Sequence, residues 1–142
     1  MKAPTTTPRS NEPLRVLIVD DEKDTADVTA LALTQLGHDV RKAYDGLSAV
    51  SQARQFKPQL ILLDLSMPVV DGFEVAQHLR ELTATEGARI FALTGHVERP
   101  YIEASAEADF DGYLLKPLDV EKLTQIMATV RDPPNRLRDL LQ

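Results

Sequence analysis

Three carboxylates, a hydroxyl and an amine follow short apolar runs that are widely separated along the chain. They are Asp20 and Asp21, Asp64, Thr94, and Lys116, which precedes Pro117. Such apolar runs are typical of buried parallel strands. The carboxyl ends of parallel strands meet at one edge of a sheet, where α/β proteins bind their ligands. We therefore expect these five side chains to form one polar site.

Three carboxylates at one edge repel one another, and this repulsion indicates a bound cation. Two like charges about 4 Å apart raise the free energy by roughly 4 kcal/mol at an effective dielectric constant of about 20. Oxygen ligands without His or Cys favour a hard cation, and Mg²⁺ commonly binds carboxylates together with phosphate oxygens and water. Asp20, Asp21 and Asp64 therefore predict a Mg²⁺ site, in which Mn²⁺ can substitute.

The same side chains fit phosphoryl transfer to a carboxylate. A carboxylate is a known covalent acceptor of a phosphoryl group. The reaction needs an in-line nucleophile, a metal ion, and donors that stabilise the remaining negative charge. We assign Asp64 as the nucleophile, with Asp21 and the metal ion on one side. The Thr94 hydroxyl and the Lys116 ammonium lie on the other side.

Alternating strands and helices must position these residues. Apolar runs predict strands over 14–19, 38–43, 59–63, 89–93 and 112–115. Apolar residues at helical spacing predict helices over 24–36, 46–56, 72–82, 99–108 and 119–130, the last with Asp119 as its N-cap. Five strand–helix units with continuous apolar strands predict a parallel sheet that is buried on both faces.

The composition limits the classes of function. The 142 residues carry a net charge of −6 and include no cysteine, which excludes disulfides and thiolate metal sites. The acidic balance argues against binding to a nucleic-acid backbone, and no apolar run approaches the roughly 20 residues that span a bilayer. We predict a cytoplasmic protein with no nucleic-acid or membrane partner. It would have a disordered N-terminal tail (1–13), one domain (14–131) and a short C-terminal tail (132–142).

Five segments resemble the response-regulator receiver domains of two-component signalling, the CheY-like superfamily. The segments are VLIVDDE (16–22), LLDLSMP (62–68), DGFEV (71–75), ALTG (92–95) and FDGYLLKP (110–117). They occur in the family's order and spacing, and the resemblance covers nearly the whole folded region. It implies an α/β flavodoxin-like (βα)5 fold, a five-stranded parallel sheet of order 2-1-3-4-5 with helices on both faces.

The resemblance also implies roles for the acidic residues. Asp64 would be the phosphoacceptor. Asp21 would bind Mg²⁺ directly, and Asp20 largely through water. The backbone carbonyl of Ser66 would be a further metal ligand.

Other residues acquire roles through the resemblance as well. Thr94 and Lys116 would contact the phosphoryl oxygens, and the Lys116–Pro117 peptide bond would be cis. Tyr113 would be the switch aromatic. Its side chain would move inward when Thr94 is drawn towards the phosphoryl group.

The implied function is a signalling module, not an enzyme, since it would catalyse only its own phosphorylation and dephosphorylation. A histidine kinase or a histidine phosphotransfer protein would donate the phosphoryl group. A downstream protein would bind the face formed by the fourth predicted helix, the fifth strand and the fifth helix.

Two other classes of function remain as alternatives. One is a metal-dependent phosphohydrolase with an Asp nucleophile, although no second acid lies between Asp64 and Asp71. The other is a receiver-like binding module that is never phosphorylated. Within the receiver hypothesis, the chain is either a stand-alone regulator or a receiver taken from a hybrid kinase or a larger regulator.

Overall fold

The computed structural model describes residues 13–65, 72–95 and 110–131. Several predictions fall outside these ranges. They are the N-terminal tail except Pro13, Ser66 as a metal ligand, the helix over 99–108 with the part of the partner face that it would form, and the C-terminal tail.

Five parallel strands form the sheet, and their order confirms the predicted fold. The strands are β1 (Arg15–Val19), β2 (Asp39–Ala43), β3 (Leu60–Asp64), β4 (Arg89–Thr94) and β5 (Gly112–Leu115). They lie in the order β2-β1-β3-β4-β5, and every neighbouring pair is parallel. β3 and β4 end on Asp64 and Thr94 themselves, one residue later than the apolar runs predict.

Four α-helices connect or follow these strands in the described residues. They are α1 (Lys23–Gln35), α2 (Gly46–Phe56), α3 (Gly72–Arg80) and α4 (Val120–Arg131). Asp45 caps α2 by accepting a hydrogen bond of 2.7 Å from Ser48 N, and Asp119 accepts one of 2.9 Å from Glu121 N at the start of α4. Helix α3 ends two residues before the prediction because a 3₁₀ turn, Thr83–Thr85, follows it.

Side chains alternate along each buried strand, so the sheet has an apolar layer on each face. On one face, β1, β3 and β4 pack against α2 and α3 through residues such as Leu17, Leu63 and Ile90. On the other face, residues such as Ile18 and Leu62 pack against α1 and α4. Both layers hold the strand ends in a fixed relation.

At the amino end of the sheet, Asp111 joins α3, β4 and β5. Its Oδ2 accepts hydrogen bonds from Arg80 Nη2 at 2.5 Å and from Ile90 N at 2.7 Å. Arg89 Nη1 lies 3.9 Å from Asp111 Oδ1, and Arg80 Nη1 also donates to Ala88 O. We call Asp111, Arg80 and Arg89 the amino-edge clamp, since they fix the start of β5 against its neighbours. Among the described helices, none is both long and apolar enough to cross a membrane.

Candidate functional site

The strand register brings the predicted site residues to one edge of the sheet. Val19 pairs with Leu63, so Asp20 and Asp64 extend side by side from β1 and β3. On the other side of β3, Thr94 ends β4 and pairs with Leu115 of β5. Lys116 N donates a hydrogen bond of 2.8 Å to Thr94 O, which continues this pairing beyond β5.

Three carboxylates and one ammonium group lie in contact there. Asp20, Asp21 and Asp64 each offer an oxygen, and these oxygens all lie within 4.8 Å of one another. Lys116 Nζ lies 3.2 Å from Asp64 Oδ2 and 3.4 Å from Asp20 Oδ2. We call these four residues the acidic site. The prediction that they are brought together from separate strand ends agrees with this geometry.

The two neighbouring aspartates differ sharply in burial. Asp20 is fully buried and Asp64 is 2% exposed, whereas Asp21 is exposed. Backbone groups hold Asp20, because Glu22 N donates to its Oδ1 at 3.0 Å and its own N–H donates to Ala43 O. The buried pair is therefore fixed, and Asp21 offers its carboxylate towards solvent.

Helix α3 begins close behind the backbone of Asp64. A Cβ atom at Gly72 would lie 3.0 Å from Leu65 Cδ2 and 3.2 Å from Leu65 Cα. Leu65 N in turn donates a hydrogen bond of 3.0 Å to Leu93 O. Glycine is needed at 72 because a larger residue would displace the segment that carries Asp64. The sequence interpretation did not assign this role to Gly72, although the residue lies in one of the segments that carry the family resemblance.

Burial and repulsion both act on the titration of Asp20. Loss of hydration, together with the neighbouring Asp64 carboxyl, raises the pKa of Asp20 from 3.8 to about 6, although the Glu22 N–H and the Lys116 charge both act to lower it. Burial alone would lower the pKa of Lys116, but the negative charges of Asp64 and Asp20 outweigh it and raise the pKa above its ordinary value. Lys116 is therefore a fixed positive charge, and it leaves part of the acidic charge unneutralised.

The acidic site fits a divalent cation of the Mg²⁺ class. Its donors are carboxylate oxygens, which hard cations prefer. The raised pKa of Asp20 shows that the ionised form is costly without further positive charge. A cation would remove that cost.

The remaining predicted residues lie near this edge. Thr94 is 3% exposed at the end of β4, and Tyr113 on β5 is 39% exposed. The Lys116–Pro117 peptide bond is cis.

An apolar groove, which the sequence interpretation did not predict, opens beside the acidic site. It lies between α1 and the segment from β5 to α4, has a volume of about 570 Å³, and includes Lys116 and Pro117 in its wall. Val28 of α1 and Val120 of α4 line it and are 67% and 50% exposed.

A family model for the response regulator receiver domain matches residues 16–128. The chain belongs to this family. It is a receiver domain of the kind found in the response regulators of two-component systems, a signalling module.

Individual relatives agree with this assignment. Over 118 residues the chain is 37% identical to the DNA-binding dual master transcriptional regulator RpaA of Synechocystis. The aligned region covers 82% of this chain and 49% of RpaA. The chain thus spans about half the length of that relative. Chemotaxis protein CheY4 of Vibrio cholerae superposes with a TM-score of 0.78 at 27% identity, covering 84% of this chain and 99% of CheY4.

One similar structure contains a metal ion. The receiver domain of the sensor histidine kinase PA1611 of Pseudomonas aeruginosa has magnesium coordinated in its active-site cleft. It superposes with a TM-score of 0.76 at 27% identity, covering 85% of this chain and 99% of that one.

Proposed function

We propose that this receiver domain accepts a phosphoryl group on Asp64, with Mg²⁺ bound by the acidic site. The observation that carries the proposal is the placement of a nearly buried carboxylate 3.2 Å from the Lys116 ammonium and beside two further carboxylates. A buried carboxylate with such neighbours is suited to accept a group whose added oxygens bind cations.

The residues divide the work between metal and phosphoryl group. Asp21, Asp20 and Asp64 would hold Mg²⁺, and the backbone carbonyl of Ser66 would add a ligand. The bound ion would neutralise charge on the phosphoryl oxygens, and Mn²⁺ would substitute for it. Lys116 stays protonated, so it would pair with a phosphoryl oxygen once Asp64 carries the phosphoryl group as an acyl phosphate.

The transfer step conserves atoms and charge. An Asp64 carboxylate oxygen forms a bond to phosphorus while the bond from phosphorus to the donor breaks. The donor's nitrogen or oxygen leaves with the bonding electron pair. Attack of water on phosphorus in the resulting acyl phosphate would release inorganic phosphate and return Asp64 to a carboxylate, so the domain would catalyse only its own phosphorylation and dephosphorylation.

Phosphorylation would then change the surface of the domain. The new group adds a charge of about −1.5 to −2, and binding of its oxygens by Thr94 and Lys116 would favour one of two pre-existing conformations. Thr94 ends β4 and pairs with Leu115 of β5, and Tyr113 lies two residues before Leu115, so a shift of Thr94 would act on Tyr113 through β5. The face that would report this change comprises β5, α4 and the helix predicted over 99–108.

A histidine kinase or a histidine phosphotransfer protein would be the donor. Its imidazole must reach Asp64 at the carboxyl edge, so the donor protein must cover the neighbouring surface. The apolar groove with Val28 and Val120 adjoins Lys116 and offers that surface. The DNA-binding activity in the name of RpaA belongs to that longer protein, and the net charge of −6 favours protein partners for this domain.

Intact-mass measurement after incubation with acetyl phosphate tests the proposal. We expect a gain of one phosphoryl group in wild type with Mg²⁺ or Mn²⁺, and none with EDTA or in Asp64→Asn. Asp39→Asn, a change at an exposed carboxylate on β2, should be phosphorylated like wild type. Absence of any gain in folded wild type would contradict the proposal and favour a binding module that is never phosphorylated.

A further inference from the structure

A polar recess lies at the opposite end of the sheet from the acidic site. It has a volume of about 310 Å³ and is formed where β1 and β4 begin and where α2 ends. Arg15, Lys57 and Arg89 line it, and Glu86 is the one acid in its lining among the described residues. We call it the amino-edge recess.

The charge of this recess is opposite to that of the whole chain. The chain has 16 basic and 22 acidic residues, yet the lining has three basic side chains and one acidic side chain. A concave site with one sign of charge concentrates counter-ions of the other sign. The recess therefore attracts anions, whereas the acidic site repels them.

The positive side chains are carried by segments that are firmly joined. Arg15 Nε donates to Lys57 O at 2.8 Å, and Arg15 N donates to Gln59 Oε1 at 2.9 Å. Gln59 N donates to Arg15 O, and Arg89 N donates to Gln59 O. The hydrogen bond from the Arg15 side chain uses Nε and neither of its two Nη atoms. Pre-organised donors lose less entropy when a ligand binds.

Lys57 occupies a backbone conformation that disfavours its side chain. It ends α2 with φ 54° and ψ 61°, in the left-handed region where glycine is preferred. Proximity to the helix carbonyls gives a lysine there some compensation. Within the described residues, Lys57 Nζ forms no ion pair. Its ammonium group is therefore able to bind a ligand in the recess.

We propose that the amino-edge recess binds a small multivalent oxyanion, such as a phosphate ester or a polycarboxylate. Two guanidinium groups and one ammonium group can donate to such oxygens, and the Arg89 guanidinium among them also lies 3.9 Å from Asp111 of the amino-edge clamp. A volume of about 310 Å³ suits a small molecule and excludes a helix. The site is independent of Mg²⁺ and of Asp64, so its existence does not depend on the function proposed above.

Isothermal titration of the metal-free full chain with pyrophosphate, and separately with citrate, tests this site. We expect saturable binding of at least one of them, weakening as salt is added. Pyrophosphate binding alone would indicate a phosphate ligand, and citrate binding alone a carboxylate ligand. Failure of both to bind in low salt would overturn the proposal.

Lys57→Gly separates binding from folding. It removes the cation and relieves the positive φ, so the melting temperature should stay equal or rise while affinity falls about tenfold or more. Arg15→Gln should weaken binding similarly, and Glu86→Gln should strengthen it. Lys122→Gln, at an exposed lysine outside the recess, is the matched control. Unchanged affinity in folded Lys57→Gly, or an equal loss in Lys122→Gln, would show that the recess is not the site.

Discussion

The acidic site and the amino-edge clamp lie at opposite ends of the same sheet, and their charges are balanced differently. In the clamp, Asp111 meets two guanidinium groups and a backbone N–H, so its carboxylate is well satisfied. In the acidic site, within the part of the chain that the structure describes, the ion pairs of three clustered carboxylates are with the ammonium of Lys116. One cluster is complete without a ligand, and the other has an excess of negative charge.

We interpret this difference as the contrast between a structural cluster and the site of the proposed function. A satisfied carboxylate stabilises the fold, because its hydrogen bonds exceed the cost of removing it from water. Repulsion within a crowded set of carboxylates lowers the stability of the metal-free fold. A cation, alone or together with a phosphoryl group, would relieve that repulsion and would therefore bind favourably. The presence of a carboxylate at a strand end therefore does not show whether it is structural or functional. The number of cations and hydrogen-bond donors around it is the better guide.

Removal of the Asp111 charge should have the largest effect on stability. Asp111→Asn removes the carboxylate charge that faces the guanidinium groups of Arg80 and Arg89. Hydrogen bonds to charged groups contribute about 1.5–3 kcal/mol each, so we expect a loss of about 2 kcal/mol in the free energy of unfolding, measured by urea denaturation. Asp39→Asn on the exposed edge strand should change it little. Equal stability of the two variants would mean that the clamp is not structural.

At the acidic site, the metal-free free energy of unfolding should fall as pH rises, the reverse of what a carboxyl with a lowered pKa would give. Because the pKa of Asp20 rises from 3.8 to about 6 on folding, the folded state holds this proton more tightly. The stability it confers is complete below about pH 3.8 and is lost progressively as pH rises through about 6.

Urea denaturation in EDTA across that range tests this sign. Wild type should lose roughly 2 kcal/mol relative to Asp20→Asn as pH rises from 4 to 7, and Mg²⁺ should reduce the loss. Comparison with Asp20→Asn removes the contribution of carboxylates elsewhere. A difference that stays constant with pH would show that Asp20 titrates normally.

Much of the fold and of the site could be predicted from the sequence, for a shared reason. Buried parallel strands require continuous apolar runs, and the residue after each run is placed at the ligand-binding edge by topology. Asp20, Asp64 and Lys116 could thus be grouped before any coordinates. The strand order came from the family resemblance, because spacing alone does not determine it.

Other features depend on contacts that the local sequence does not contain. Apolar periodicity places Val28 and Leu31 on α1, but both are more than half exposed in the structure. Residue type and spacing alone do not distinguish Asp20 from Asp21, whereas in the structure the first is buried and the second is exposed. The clamp joins Arg80 to Asp111 across 31 positions, and no local pattern indicates that pairing.

The smallest expected change distinguishes the two clusters most directly. Asp64→Asn keeps the shape of the side chain and removes one of three crowded negative charges, so the metal-free free energy of unfolding should rise by about 1 kcal/mol at neutral pH. Mg²⁺ should stabilise wild type and have much less effect on the variant, because a ligand charge is missing. The same chemical change at Asp111 should destabilise the fold, because two guanidinium groups and a backbone N–H stabilise that carboxylate. A loss of metal-free stability in Asp64→Asn would show instead that Lys116 already balances the acidic site, and the need for a cation would disappear with it.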